Sequence, residues 1–419
     1  MSGTYITAID LGSSHIKTVV AEIKKDGTVV LLKAFKKQSG GIKKGEIVDP
    51  EETFKYLFDV YSEVRHFDKK CLGNIYFGIS GSKSRIILSR AGVVVARPNS
   101  EILNEDMDRV LKDSRAINLP PGWQIINSFP REFVVDGIEV DEASVEGLSG
   151  KKLEANVIHV AMFSAIYNNF IKLKKLVLKK DEWGAIYFVP LASERSILTK
   201  KQRDLGVLMV DIGQDTTGVV VYQEGKLLTA KVLPFGSGNI TTDIAIGLRC
   251  TMETAEALKI SLGCANSKDV SNKDKVDLSQ YEEELTAQVQ KKFIAEIIES
   301  RVKEIFTQVN EELKIIGKAG KLPSGVVITG GGAKLSGICD LARQELKMSS
   351  SLGFPIQAQF EASNAQVDDA VDDPEMSVAC GLVLQYYDMI IKKCANVGSS
   401  SLWGEPWYKS LFKIFIKNS

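Results

Sequence analysis

The chain has 419 residues, 44% of them apolar and 25% charged, so at least two domains can each bury a core of their own. Its 53 basic and 53 acidic side chains cancel, which removes the electrostatic case for nucleic acid, since phosphate backbones are bound by a basic face. Six scattered cysteines without a CxxC read as reduced thiols, and neither a leader-like N-terminus nor a membrane-length apolar run stands in the sequence, so the protein is expected to stay in the compartment where it is made.

The chain opens strand, turn, strand, strand. Residues 5–10 are apolar and β-favouring, Gly12, Ser13 and Ser14 make a turn, and residues 16–23 and 28–35 resume strand character. A helix is expected from Asp49, with Asp49 as N-cap, Pro50 in the first turn and Glu52 closing a capping box. Phe54, Leu57, Phe58 and Tyr61 supply its apolar face. Residues 74–80 read as a short buried strand. From residue 82 to about 165 the texture changes to a small α+β insert: strands at 85–88, 93–96, 124–128 and 132–135, and a helix capped by Asn104. A helix near Ile166 and a strand at 184–189 return to the main pattern.

The opening then repeats. Residues 207–211, a glycine-containing turn, and residues 219–222 and 226–232 reproduce the strand–turn–strand–strand series, an internal duplication of one hairpin unit. A mainly helical region, residues 240–316, precedes a strand at 326–328. The expected organisation is a first-lobe core at 1–81 and 166–205, completed by 360–391, with the insert at 82–165. A second-lobe core follows at 206–239 and 320–359, with a helical subdomain at 240–319. A linker at 392–405 leads to an amphipathic helix at 406–419.

The two hairpins carry the chemistry. AIDLGSSHIK (residues 8–17) and VDIGQDTTG (residues 210–218) each end an apolar strand in an aspartate, two residues before a glycine. A turn of small residues lets backbone N–H groups approach phosphate oxygens, and the strand-end Asp10 and Asp211 face the same cavity, where they can hold hydrated Mg²⁺. Ser13 and Ser14 add hydroxyls and Lys17 adds charge. One such hairpin is common; two at matching places, followed by the strand–GGG–helix sequence of residues 326–342, point to a nucleotide polyphosphate. Gly330, Gly331 and Gly332 leave bare backbone beside a helix N-terminus, close to an adenine or a phosphate. Glu256 and Lys259 lie one helical turn apart; they can reach a ribose and adenine edge, or form an ordinary surface ion pair, which their spacing alone favours.

With these residues in place, the chain resembles the FtsA family of actin-like bacterial cell-division proteins. The resemblance runs through GIKKGEIVD (41–49), EILNEDMDRVL (101–111), LASERSILT (191–199), DIAIGLR (243–249) and DPEMSVACGLVL (373–384), and through the position of the insert. It implies an actin-like two-lobe ATPase fold of duplicated RNase H-like domains with that family's insert in the first lobe. It implies ATP and Mg²⁺ as ligands, with Asp10 and Asp211 facing metal-bound water and Gly12, Ser13, Ser14, Gly213, Thr216 and Thr217 around the phosphates. It places Glu256, Lys259 and Gly330, Gly331 and Gly332 around adenosine. Two departures stand out. The family's second hairpin is Asp-x-Gly-Gly-Gly-Thr, whereas here Gln214 and Asp215 replace two glycines, setting an acid beside phosphate. Where hydrolytic relatives carry a water-orienting acid or amide before a proline, this chain has Val189 before Pro190, so weak or absent ATPase activity is expected.

The end of the chain is the last informative segment. On a helical wheel, Trp407, Tyr408, Leu411, Phe412, Ile414 and Phe415 share one broad face, and Lys409, Lys413 and Lys417 cluster opposite. This pattern suits a helix lying in the interface of an anionic membrane rather than crossing it, although an aromatic-rich tail can also pack on its own globule. Together with the resemblance, it predicts a self-associating, filament-forming protein that tethers the tubulin-like division protein FtsZ to the cytoplasmic face of the inner membrane at the division site. The FtsZ C-terminal peptide is expected on the helix around Arg301, which can pair with a peptide carboxylate or, equally, with Glu304. The competing readings are a platform of type IV pilus assembly and a kinase or chaperone ATPase of the same fold. No nucleic-acid partner is expected.

Overall fold

A computed structural model describes residues 3–140, 142–177 and 183–396. Contacts divide the chain into two compact units, one of Met1–Lys83 with Asn168–Gln385 and one built on Ser84–Tyr167.

The larger unit contains two sheets with one topology. In the first, strands Trp183–Phe188, Asn74–Ile79, Thr4–Leu11, His15–Ile23 and Val29–Gln38 lie side by side in that order, with the short Glu361–Ala362 at the edge. In the second, the order is Ser350–Leu352, Val326–Thr329, Val207–Ile212, Thr217–Gln223 and Lys226–Leu233. Each sheet joins an antiparallel three-strand meander to parallel strands on the other side of its first strand, so the repeat seen in sequence is a repeat of fold. Ile6, Ala8, Ile16, Val20, Leu208 and Val210 are wholly buried, which explains why these strands read as continuous apolar runs rather than alternating ones.

The helix Pro50–Phe67 starts where expected, with Asp49 accepting from the Glu51 and Glu52 N–H groups. The reciprocal capping-box bond is replaced: the Asp49 N–H donates to the Gly41 carbonyl at 3.1 Å. Its buried face is Leu57, Val60, Tyr61 and Val64, and Phe58 is exposed, stacking obliquely on Phe54 instead of entering the core. The second lobe's helices Ser237–Leu248, Met252–Leu262 and Lys291–Ile315 pack Ile240, Ile244, Leu258, Ile298 and Phe306 into one cluster with the sheet. A small hairpin, Lys275–Asp277 with Gln288–Gln290, interrupts this region, which reads in sequence as mainly helical.

The smaller unit is a four-stranded sheet, Ser84–Val94, Lys152–Phe163, Trp123–Val135 and Ile138–Val140, with the helix Asn104–Asp113 against it. The strands are longer than the sequence suggests. Pro130, which reads as a break, sits at a register shift opposite Val157, so pairing carries the strand past it. The helix cap is Leu103, not Asn104. Asp106 in the first turn accepts the Leu103 N–H at 3.0 Å, and Asn104 is engaged by Glu146. The last helix, Ser377–Asn396, continues through residues 392–396, where the sequence suggests a linker. No helix among the described residues is long and apolar enough to cross a membrane.

Candidate functional site

A cleft in the larger unit is lined by Asp10, Gly12, Ser13, Ser14 and Lys17 from one hairpin and by Asp211, Gly213, Gln214, Asp215 and Thr216 from the other. The registers explain the symmetry: Asp10 pairs with Lys17 across its hairpin, and Asp211 with Gly218 across the second. Each aspartate is thus the last inward side chain before its turn.

The electrostatics fit a cation and an anion together. Burial pushes the Asp211 carboxyl up to about 6; a hydrogen bond with the Ser193 hydroxyl opposes this and the Asp10 charge adds to it. Asp10 accepts from the Lys17 ammonium at 3.0 Å. Burial works against that ammonium, but Asp10, with Glu375 and Asp211 beyond it, outweighs burial and raises the Lys17 pKa. Two carboxylates facing one space, with only one lysine between them, favour a further positive charge. The hydroxyls of Ser13, Ser14 and Thr216 lie in the same lining for an anion. At Gly330 the backbone has φ +83°, and a Cβ there would stand 2.4 Å from an Asp211 carboxylate oxygen, so only glycine can bring this strand end so close. The donor set therefore fits Mg²⁺ held through water by Asp10 and Asp211, with a polyphosphate along the two turns.

Not every expected residue joins this lining. Thr217 is fully buried and its hydroxyl donates to the Phe235 carbonyl at 2.8 Å, which fixes the strand rather than facing phosphate. Gly330 and Gly331 line the cleft, while Gly332 packs against Ile212, where a Cβ would come within 2.4 Å. The triplet leads into a 3₁₀ turn, Gly331–Lys334, and the α-helix Ile338–Leu346 begins only after it. Glu256 and Lys259 form an ion pair of 2.7 Å, but not on the surface. Lys259 is buried, donating to the Thr241 hydroxyl at 2.9 Å and the Ser237 carbonyl at 3.3 Å, which holds two helices together and leaves Glu256 half-exposed.

Sequence reading also misses parts of the cleft. Glu375 and Ser377 line it from the segment entering the last helix, and Gly45 and Ser80 line it from the first lobe. Glu375 accepts from Lys334 at 2.8 Å and from Lys36 at 3.3 Å. Burial pushes its carboxyl up, but the Lys334 hydrogen bond and charge, with Lys36 and Lys17 beyond, outweigh that and hold it down to about 2. The sequence signal for Gly45, Glu375 and Ser377 is that they fall in the family-like segments 41–49 and 373–384; Ser80 only ends the strand read at residues 74–80. Val189 lines the cleft as the first residue of the helix Val189–Ile197, presenting an apolar wall.

Away from the cleft, Arg301 lies in a groove of about 480 Å³ with Phe235, Lys303 and Ile305. Its guanidinium is bidentate to Asp243, at 2.5 and 2.8 Å, and also bonds Glu304. The aromatic and lysine residues of the tail, Trp407 to Lys417, lie outside the described residues.

Known proteins resemble the chain over most of its length. The family model for cell division protein FtsA matches residues 208–381, and that for the SHS2 domain inserted in FTSA matches residues 81–161. The chain is 30% identical over 348 residues to the cell division protein FtsA of Bacillus subtilis, spanning 83% of this chain and 78% of that one. To the Pseudomonas aeruginosa protein it is 29% identical over 384 residues, spanning 91% and 89%. Among solved structures, the PilM–PilN type IV pilus biogenesis complex matches with a TM-score of 0.61 at 17% identity, over 91% of this chain and 98% of that one. MreB5 of Spiroplasma citri bound to ADP matches with 0.52 at 13%, over 94% and 99%. At those identities the two structures speak for the fold, an actin-like pair of lobes. The chain belongs to the FtsA family of actin-like cell-division proteins.

Proposed function

We propose that this protein binds Mg·ATP in the cleft, self-associates, and tethers FtsZ filaments to the cytoplasmic face of the inner membrane at the division site. The cleft carries the reading: two matching hairpins set Asp10 and Asp211 toward one space lined by small residues, hydroxyls and Lys17. Asp10 and Asp211 would hold Mg²⁺, whose charge would offset part of that of the phosphates. The turns at Gly12–Ser13–Ser14 and Gly213–Thr216 would hold the phosphates, and Glu256 would face the ribose and adenine, positioned by Lys259. Val189 offers no group to orient a water, so ATP serves as a structural and assembly ligand with slow turnover.

The Arg301 groove is the proposed seat of the FtsZ C-terminal peptide. Phe235 and Ile305 give it apolar walls, and Arg301 and Lys303 give it charge. Because Asp243 already fixes the guanidinium, a peptide carboxylate would displace the exposed Glu304 and not Asp243. The tail from Trp407 to Lys417 is the proposed membrane contact. A single short helix anchors weakly, so attachment depends on several copies acting together.

Recruitment of FtsZ to anionic vesicles by the full chain with Mg·ATP tests the whole reading. Truncation at Val397 is expected to abolish recruitment, Asp10→Ala with Asp211→Ala to weaken it along with ATP affinity, and Arg301→Glu to remove FtsZ while leaving the protein on the vesicle. Full recruitment by the truncated chain would refute the tether.

A further inference from the structure

The replacement of two turn glycines by Gln214 and Asp215 places an acid where phosphate is expected, and the structure shows where that acid goes. The Asp215 carboxylate accepts the backbone N–H of Lys44 at 2.9 Å, a residue 171 positions away in the other lobe. Lys44 and Gly45 are the two central residues of a tight hairpin between the paired segments Ile42–Lys43 and Glu46–Ile47. Both have positive φ, +52° and +72°, as a two-residue type I′ turn requires. In such a turn the N–H of the first central residue takes no part in the ladder and points away from it, so it is available to a partner outside the hairpin. The neighbouring Gly45 N–H leans on the Ser13 hydroxyl at 3.4 Å. One small hairpin therefore touches both phosphate turns, Ser13 of the first and Asp215 of the second, and Gly45 itself lines the cleft.

The aim of Asp215 is fixed from behind. The Gly213 carbonyl accepts the Ser237 N–H at 2.8 Å and the Gln214 carbonyl accepts the Gly238 N–H at 2.7 Å, binding the turn to the start of the helix Ser237–Leu248. The Gly213 N–H closes the turn on the Thr216 carbonyl at 2.9 Å. The Gln214 side-chain amide lies against Gly238, where a Cβ would stand 2.7 Å from its Nε2, and the side chain that bonds the other lobe is that of Asp215. A charged acceptor on an N–H is among the stronger hydrogen bonds, and a glycine there could not make it.

We infer that Asp215 is a positioning residue that clasps the 42–47 hairpin over the phosphate end of the cleft, joining the two lobes through protein groups alone. The inference rests on the nucleotide reading above for its consequence, not for the clasp itself. The same side chain has two opposed effects on a bound polyphosphate: its charge repels the ligand, and its hydrogen bond holds the exit shut. Asparagine separates them, because its amide carbonyl keeps the acceptor and loses the charge, whereas alanine loses both.

The test uses the full chain and two readouts. The first is amide hydrogen exchange of the segment 42–48 in the absence of nucleotide. The second is the rate at which a fluorescent ATP analogue leaves in the presence of Mg²⁺ when chased with unlabelled ATP. Asp215→Ala is expected to speed exchange at Lys44 and to speed release about fivefold, the loss of a hydrogen bond to a charged acceptor less the relief of its repulsion of phosphate. Asp215→Asn is expected to keep exchange near wild type and to release no faster than wild type. Unchanged exchange in Asp215→Ala overturns the clasp. Slower release in both variants means that Asp215 only repels phosphate, and equally faster release in both means that the turn itself has been damaged; either result overturns the inference. A wild-type chain that takes up no nucleotide analogue would refute the nucleotide reading, while exchange would still decide the clasp.

Discussion

Glu375 shows how a single residue can tie the cleft to acid stability. Its carboxyl, held down to about 2 chiefly by Lys334 against the opposing effect of burial, lies below the ordinary value of 4.5. A depressed acid stabilises the fold above its unfolded value and loses that contribution as pH falls from about 4.5 through about 2. The shift corresponds to roughly 3 kcal/mol, for a side chain only 17% exposed. Glu375→Gln is therefore expected to lower the melting temperature of the nucleotide-free protein by several degrees at pH 7, with the gap closing toward pH 2. A gap that keeps its full pH 7 size at pH 2 would show that shape, not charge, sets the contribution. Val189 is the complementary case, an apolar residue where an acid would orient water. Val189→Glu is expected to raise ATP turnover about tenfold or more, measured by phosphate release after the fold has been checked, since the change buries a charge at a helix start. No gain in a folded, ATP-bound variant would move the block to water access or to the Gln214–Asp215 turn.

At the scale of elements, local signals fixed some boundaries and neighbours moved others. Asp49 caps its helix because the capping bonds reach only two and three residues ahead. The long strand Trp123–Val135 runs through Pro130 because its partner Lys152–Phe163 shifts register there, which no local signal carries. The terminal segment is the element on which the tethering proposal depends. On a helical wheel Trp407, Leu411 and Phe415 would share the middle of one apolar face, and roughly 1.5–3 kcal/mol for each large side chain buried in lipid would outweigh the ordering of a short helix only modestly. Lys409, Lys413 and Lys417 would add about 1 kcal/mol each on an anionic surface, a part that should fade with salt. Phe415→Glu is expected to abolish vesicle co-sedimentation while leaving ATP affinity and melting temperature unchanged. A fall of many degrees in melting temperature would instead mean that this segment packs on the protein.

For the whole molecule, the duplicated hairpins, the insert and the family were legible from the sequence because each is written in contiguous residues. Strand patterns place Asp10 and Asp211 at strand ends, and small residues after them permit a phosphate turn, whatever the rest of the chain does. Sequence alone therefore determined an actin-like pair of lobes with a cleft between two matching turns. Only the tertiary structure decided what many of its charges do. Lys259 is buried between helices, Arg301 is clamped by Asp243, and Glu375 meets Lys36 across 339 residues. Asp215, which in sequence reads as an acid against phosphate, meets the Lys44 N–H. The physical reason is range. A turn or a cap is fixed by neighbours along the chain, whereas the partner of a charged side chain is whichever group the fold brings within about 3 Å, and that depends on how distant segments pack.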